Sequence, residues 1–404
     1  MRSLHNCFQP SVVVVALVLG ACVGSARTAP VSESKQRGPA TGPYVRALVE
    51  RGSFRLPPHQ MFEYAGKGLA FNPARRSLYI TGWDGVAPWT PATAEVSIPA
   101  LGGTASFLQD FVDPLEGALT MINPSSSTQK YITGYAVVGD ELIIAGVDSY
   151  DADGMQRGSH FARPQNLSTR GRVRGPFQVG ALGGRFYGGY MGAVAEEWRS
   201  AFKGPWLTGQ CCLSIIGTTS YGPALFAFDP ARLQTPAAVP LVYYPGDNPL
   251  VPYGAAGAHP LFSGVTRVTG VAQVPGTASV LFFGTTGTGP SCYGPGTADP
   301  SQAGQSARDI GDTVDRYCFD PADKSKGDHA YPYASFVWAY DANDLAAVAG
   351  RRKSPWQPRP YATMTILTGN PILGAALDPA SRLIYVTEAF GDGLRPVIHV
   401  YSPE

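Results

Sequence analysis

The sequence has few charged residues and no strong excess of either sign. Asp, Glu, Lys and Arg make up only 15% of its 404 residues, and the formal net charge is +1. A nucleic-acid-binding surface needs clustered Lys and Arg, whereas here they are scattered, so nucleic acid is not expected as a partner. Two catalytic signatures are missing as well: there is no G-x-S-x-G nucleophile elbow and no C-x-x-C pair that suits a zinc site.

The N-terminus lacks an apolar run long enough to cross a bilayer. Arg2 provides a positive start, residues 12–19 form a short apolar stretch, and Leu19-Gly20-Ala21-Cys22 follows. The last four residues resemble the lipobox of bacterial lipoproteins. The resemblance implies a signal peptide over residues 1–21, lipidation of Cys22 and anchoring to a membrane. An ordinary secretory peptide cut after Ala26 is the alternative.

Both interpretations predict export, and Val23 after the cysteine favours the outer membrane, facing the periplasm or the cell surface. Residues 22–43 are rich in Ser, Gly, Ala and Pro. This composition predicts a flexible tether with a reach of roughly 25 Å. A single folded domain is then expected over residues 44–404, and a monomer is expected.

What the sequence has in abundance is turn residues, with 48 Gly and 36 Pro among 44% hydrophobic residues. Glycine and proline separate the strands of a repeated unit. Residues 372–401 contain three short apolar strands joined by an Asp-Pro turn and a Gly-Asp-Gly loop, and residues 68–98 repeat the pattern with L-A-F-N-P-A-R-R-S-L-Y-I-T-G-W-D-G. Looser copies begin at Gly134, near Gly180 and at Val268.

A fourth strand usually follows each unit, as in residues 105–111, 240–244 and 361–367, and four antiparallel strands form one blade of a β-propeller. We therefore predict an all-β fold, a propeller of about five four-stranded blades with long loop insertions. The last unit has only three strands, so the N-terminal residues 53–56 are expected to close the ring. A pair of β-sandwiches is the alternative.

The stretch R-L-I-Y-V-T-E-A-F-G-D-G also resembles the repeat of YVTN-type propellers. This resemblance implies the fold and no particular activity, because propellers host both enzymes and binding proteins.

Strand order in a propeller decides which loops share a face. The loops that enter the inner strands and the loops that join second to third strands form one face, here called the upper face, and the remaining turns form the lower face. We expect a ligand at the upper face. The candidate ligand-binding residues there are Glu63, Lys67, Trp83, Asp84, Tyr331, Tyr333 and Asp392.

An acidic turn on the same face could hold a cation. Asp148, Asp151 and Asp153 are spaced carboxylates followed by a glycine, which is a pattern that can surround calcium with oxygen ligands. It is not an EF-hand loop, because the twelfth position counted from Ser149 is His160 rather than Glu. A calcium site and a plain acidic turn both remain open from the sequence.

Four cysteines follow the tether. Cys292 and Cys318 flank a polar insertion and are expected to form a disulfide, since an exported protein matures in an oxidising compartment. Cys211 and Cys212 are expected to form a vicinal disulfide or to stay as buried thiols.

Two functions follow from these patterns. The first is a cell-envelope lipoprotein that binds a protein or glycan at the upper face. The alternative is a metal-assisted hydrolase or lyase that resembles lactonase-type propellers, with His160, His329 and Glu388 as the candidate catalytic residues. The absence of an intact catalytic motif favours binding.

Overall fold

Four-stranded antiparallel sheets recur along the chain in the computed structural model, which describes residues 42–83, 91–211, 217–252, 261–310, 313–366 and 368–404. Strand β1 (Leu48–Arg55) comes first. Blade 1 contains β2 (Leu69–Asn72), β3 (Ser77–Thr81), β4 (Thr93–Ser97) and β5 (Phe107–Val112). Blade 2 contains β6 (Lys130–Val138), β7 (Glu141–Asp148), β8 (His160–Pro164) and β9 (Arg174–Phe177).

Three more blades follow in the same order, from the inner strand outwards. Blade 3 contains β10 (Met191–Ala193), β11 (Trp206–Thr208), β12 (Leu225–Phe228) and β13 (Val239–Val242). Blade 4 contains β14 (Arg267–Gln273) and β15 (Ser279–Gly287), and it resumes with β21 (Tyr333–Asp341) and β22 (Pro360–Thr365). Blade 5 contains β23 (Ile372–Leu377), β24 (Ile384–Asp392) and β25 (Arg395–Pro403).

Blade 4 carries the long insertion between its second and third strands. The insertion contains β16 (Cys292–Thr297), β17 (Ser306–Ile310), β18 (Thr313–Arg316), β19 (Cys318–Phe319) and β20 (Lys326–His329). Helices are short: α1 (Arg199–Phe202), α2 (Ala342–Ala349) and the 3-10 turns Gln60–Phe62, Ala118–Ile122, Gly184–Phe186, Glu196–Trp198 and Pro230–Arg232. Within the described ranges no helix has the length and apolar character that a membrane crossing requires.

Strand β1 supplies the fourth strand of blade 5, as the sequence predicted. It pairs antiparallel with β25, from Leu48 opposite Pro403 to Arg55 opposite Val397. The segment before β1 is bound to blade 4, because the backbone N–H of Ala278 donates to the carbonyl of Pro43 at 3.0 Å. The N-terminal end of the domain therefore joins blades 4 and 5. The predicted five-bladed propeller and its closing strand are confirmed.

The hydrophobic core lies between neighbouring blades rather than in one layer between two sheets. The described residues form five buried clusters, one at each junction. Tyr190 and Phe282 pack between blades 3 and 4, for example, and Phe54 packs on Tyr385 beside blade 1. A β-sandwich would instead bury a single core between two sheets, so the sandwich alternative was wrong.

The glycines that open the predicted units let the inner strands approach one another. A Cβ atom on Gly134 would lie 2.1 Å from the carbonyl oxygen of Gly189, and one on Gly270 would lie 2.5 Å from the Cβ of Ala375. Both distances are shorter than a van der Waals contact, so any side chain there would push adjacent blades apart. The recurring glycine is thus a requirement of ring packing.

We predict that removal of β1 destabilises the whole ring. A protein that begins at His59 loses buried Phe54 and Leu56, and truncating even one buried Phe costs about 3–5 kcal/mol, which approaches the stability of a domain. Thermal unfolding followed by circular dichroism should show loss of the cooperative transition. A protein that begins at Gly42 is the control and should unfold as the full chain does. Equal melting temperatures for the two truncations would contradict ring closure by β1.

Candidate functional site

Exposed apolar side chains are concentrated on the upper face. Ten large apolar side chains are exposed among the described residues, and all but Leu101 and Leu108 belong to upper-face loops or the strand ends beside them. These eight are Tyr64, Met121, Tyr150, Met155, Tyr293, Phe319, Phe390 and Leu394. Soluble monomers rarely gather apolar side chains on one side without a binding role, so this face is the candidate functional site.

Three of these residues, Tyr64, Phe390 and Leu394, form with the partly buried Trp83 what we call the aromatic patch. The Tyr64 ring lies 5.7 Å from the Phe390 ring and 6.0 Å from the Trp83 ring. The backbone N–H of Tyr64 donates to the carbonyl of Leu394 at 3.0 Å, which ties the loop before blade 1 to the hairpin of blade 5. The patch therefore crosses the junction at which the ring closes.

Backbone strain marks the same patch. Tyr64 and Phe390 have positive φ angles of 60° and 58°. For a bulky side chain this left-handed conformation costs roughly 1–2 kcal/mol. Both aromatic rings are nevertheless exposed, at 50% and 41% of their residue surface. Strain that is kept in order to display apolar side chains to solvent suggests selection for binding.

The acidic turn is tied into the protein by its own hydrogen bonds. Asp148 accepts from Asn123 Nδ2 at 2.9 Å and from the Thr128 hydroxyl, whereas Asp151 accepts from the N–H groups of Met155 and Gln156 at 2.7 and 3.0 Å. Asp153 is exposed. Among the described residues no three His, Cys, Asp or Glu side chains converge as metal ligands do.

Positive side chains take the place of a cation beside this turn. Lys130 Nζ lies 3.9 Å from Asp148 Oδ2, and both side chains are buried. Arg185 is also buried, and burial lowers its pKa to about 10, while the Asp151 and Asp148 carboxylates act in the opposite direction. The arginine stays charged at neutral pH. Because the oxygens of Asp148 and Asp151 accept protein donors and Lys130 lies beside Asp148, the contacts favour the plain acidic turn, and calcium binding at this turn stays a prediction.

His160 lies in the core rather than in a loop. It opens β8, is fully buried, and its ring packs 5.2 Å from the ring of Phe228 in blade 3. Its ring nitrogens lie 2.9 Å from Ser159 Oγ and 3.1 Å from Thr208 Oγ1. Burial lowers its pKa to about 3. The interpretation of His160 as an upper-face general base was wrong, because the side chain points into the junction between two blades.

His329 is part of a buried network that holds the insertion together. Its Nδ1 lies 2.8 Å from Asp320 Oδ2, and its Nε2 lies within 3.1 Å of the carbonyls of Gly294 and Ser325. Tyr333 donates its hydroxyl to the same Asp320 oxygen. Burial acts to raise the pKa of Asp320, but the hydrogen bonds from His329, Tyr333 and the backbone lower it overall. Both His329 nitrogens are engaged, so neither is available to a substrate.

Glu388 is engaged in the same way at blade 5. Its Oε1 accepts from the backbone N–H of Asn370 at 2.9 Å, and its Oε2 lies 2.7 Å from Nε2 of His399. The other ring nitrogen of His399 lies 2.8 Å from Oε1 of Glu50, on β1. This carboxylate–histidine–carboxylate chain connects three neighbouring strands of blade 5 and stabilises the closing strand.

The remaining predicted ligand-binding residues are spread over the upper face and do not meet at one point. Lys67 Nζ lies 3.6 Å from the centre of the Tyr131 ring, and Tyr331 packs at 5.8 Å on Phe319 in the insertion. Asp392 forms an ion pair with Arg395 at 2.7 Å. Glu63 ends the first 3-10 turn and is partly exposed. Only Trp83 belongs to the aromatic patch.

The structure describes three of the four cysteines that follow the tether. Cys292 and Cys318 form the predicted disulfide, with their Cα atoms 5.7 Å apart. Cys211 is buried. Asp84, Cys212 and Cys22 lie outside the described residues, so their predicted roles stay predictions.

The sequence analysis missed the central channel. The lower halves of the five inner strands enclose a cavity of about 380 Å³, which is lined mainly by apolar side chains and by Gln273. The sequence signal for it was a glutamine, Gln273, between Ala272 and Val274 at the end of β14.

Comparisons with known proteins show neither a family nor an activity for this chain. No protein-family model matches the chain, and no curated protein sequence matches it significantly. Among solved structures, the native Bacillus subtilis arabinanase Arb43A is 9% identical with a TM-score of 0.44, over 87% of this chain and 96% of that chain. A luciferin-regenerating enzyme is 8% identical with a TM-score of 0.36, over 88% and 95%. No residue role is taken from these similarities.

We predict that His160 makes the domain sensitive to acid. The unfolded chain binds a proton on this histidine below pH 6.5, but the folded protein does not until about pH 3. As the pH is lowered from 6.5 toward 3, the free energy of unfolding should therefore decrease by about 1.4 kcal/mol per pH unit from this group. His160→Gln should reduce that slope in urea titrations at several pH values. Identical slopes would show that His160 is not held neutral.

A second prediction concerns the disulfide-closed insertion. Replacing Cys292 and Cys318 together with alanine removes a cross-link that is typically worth about 2–4 kcal/mol, and the insertion has little apolar core of its own. Limited proteolysis with peptide mapping should show the first cleavages between these two positions while the blades stay intact. First cleavage within a blade strand would contradict an independently opening insertion.

Proposed function

We propose that this protein is a lipid-anchored binding protein of the cell envelope that docks a partner protein through the aromatic patch and the neighbouring upper-face loops. The single observation that carries the proposal is the concentration of exposed apolar side chains on this one face. Aromatic residues and methionine are enriched at protein interfaces, and Met121 and Met155 accompany the aromatic side chains here.

The surroundings of the patch suit a protein interface. Asp392 pairs with Arg395 at 2.7 Å and lies 3.7 Å from Arg55, which places a charged rim beside the apolar rings. An apolar centre with a polar rim is the usual arrangement of a binding surface. The charged rim would fix the orientation of the partner protein, and the aromatic rings would supply most of the binding free energy.

A glycan is the weaker choice for the same face. Sugar recognition needs hydrogen-bonding groups beside the aromatic rings, and Asp392, a carboxylate predicted to bind a ligand there, is already paired with Arg395. Glu388 and Asp151, predicted for catalysis and for metal binding, likewise accept backbone N–H groups. Leu394 and the two methionines have no flat ring face on which a sugar could stack.

The metal-assisted hydrolase or lyase stays the alternative. Hydrolases occur among the solved structures with a similar chain path, but that similarity says nothing about chemistry in this chain. The candidate catalytic residues His160, His329 and Glu388 already bond to protein groups. The described residues contain no cluster of metal ligands. Lipidation at Cys22, export and outer-membrane location belong to the proposal on the strength of the lipobox.

Site-directed photo-crosslinking in the producing cells tests the docking surface. The photo-reactive amino acid p-benzoylphenylalanine replaces Phe390 in one protein and Leu101, on the lower side of blade 1, in another. We expect one discrete adduct of higher mass from position 390 and none from position 101. Adding Tyr64→Glu to the first protein should reduce the adduct at least tenfold, because a charge at the centre of an apolar interface removes a hot spot.

Three outcomes would overturn the proposal. They are adducts of equal yield from both positions, an adduct that persists with Tyr64→Glu, and an adduct that consists of two copies of this chain. The melting temperature of the Tyr64→Glu protein checks that its fold is kept, since this side chain is half exposed and its loss should not unfold the ring.

A further inference from the structure

The cavity in the central channel is a second candidate binding site, at the end of the propeller opposite the aromatic patch. It measures about 380 Å³ and is lined by all five inner strands. This volume lies within the range of small-molecule pockets. Residues such as Leu69, Val137, Met191 and Val271 give it apolar walls.

The geometry of the ring explains why the cavity forms at this level. In blades 1, 2 and 4 the lining residues begin directly after the glycine of the inner strand, at Leu69, Tyr135 and Val271. The inner strands approach one another closely at these glycines. Toward the lower face, side chains hold the inner strands further apart. The channel is thus narrow toward the upper face and wide toward the lower face.

One buried polar group interrupts the apolar wall. Gln273 is 1% exposed, and its Oε1 accepts the backbone N–H of Ala195 at 2.6 Å. This bond fixes which end of the side-chain amide is the donor. Gln273 Nε2 then has no hydrogen-bond partner. A buried donor left without an acceptor destabilises the protein, so an oxygen atom that reaches it from a ligand is favoured.

The rim of the cavity carries more negative than positive charge. Glu196, Glu197 and Arg199 line the opening and are exposed, and Glu197 Oε1 also accepts the N–H of Gly276 at 2.6 Å. Two carboxylates against one guanidinium disfavour the entry of an anion. An oxygen acceptor for Gln273 must therefore come from an uncharged group.

We propose that this cavity binds a neutral, largely apolar small molecule with one carbonyl oxygen, such as a ketone or ester, and that Gln273 Nε2 donates a hydrogen bond to that oxygen. The apolar walls supply affinity by removing apolar surface from water. Gln273 determines specificity, because a ligand without the oxygen leaves its donor unpaired. The site is separate from the docking surface and does not depend on it.

Two fluorescent naphthalenes that differ in one group test both parts of this inference. Prodan is a neutral naphthyl ketone, and 2-(dimethylamino)naphthalene is an analogue that lacks its propionyl group and therefore the carbonyl. We expect saturable binding of Prodan with a blue shift of its emission. Ala193→Trp, which fills the cavity from its wall, should weaken both dyes at least tenfold. Gln273→Met should weaken Prodan about tenfold, the value of one hydrogen bond, and leave the analogue within about twofold.

Gln302→Met, at an exposed position of the insertion, is the matched control and should change neither dye. Binding that is absent, or that is unaffected by Ala193→Trp, would overturn the cavity as a site. Equal loss of both dyes with Gln273→Met would overturn the role of the amide. If Gln273→Met does not fold, titration of the unaltered protein with both dyes replaces it: the analogue leaves the amide unpaired and should bind about tenfold more weakly than Prodan, and equal affinities would equally overturn that role.

Discussion

The pairing of the first strand with the last is the interaction on which the rest of this structure depends. Blade 5 has only three strands from its own segment of chain, and β1 completes it along its length from Leu48 to Arg55. Without β1, the backbone groups of β25 would be left at an open edge, and the junction with blade 1 would lose Phe54. The channel, the cavity and the aromatic patch exist only in a closed ring, since each takes residues from both sides of this junction.

A closed ring also explains why the two faces differ so strongly. Long upper loops have little apolar core of their own, so their polar residues fold them by bonding to one another, as Asp320, His329 and Tyr333 do in the insertion. Several polar side chains of these loops are therefore engaged within the protein, whereas Tyr64, Phe390 and Leu394 stay exposed. On the lower face the connections between first and second strands are short except the one between β10 and β11, which contributes Ala195 and Arg199 to the cavity.

The sequence predicted the fold far better than the site, and the reason is physical. Blade repeats depend on alternating apolar residues, turns and the glycine of the inner strand, all of which are local signals. Blade 3 was hard to recognise because its first two strands, Met191–Ala193 and Trp206–Thr208, have three residues each. His160 was misplaced because the strand starts at that residue, so a boundary error of one or two positions moved it from core to loop. Whether a loop carboxylate is free or already bonded is decided by distant residues, such as Asn123 for Asp148.

The place at which the chain enters the ring connects the two proposals. Gly42 packs on the backbone of Thr277, where its Cβ would lie 2.9 Å away, and Thr277 belongs to the β14–β15 turn of the lower face. The same turn contributes Pro275 to the cavity wall and Gly276 to the rim through Glu197. The first described residues of the domain therefore lie at the lower face, beside the turn that borders the cavity. The aromatic patch belongs to loops of the upper face. The two proposed sites thus lie at opposite ends of the propeller, and the described chain enters the ring at the end that holds the cavity.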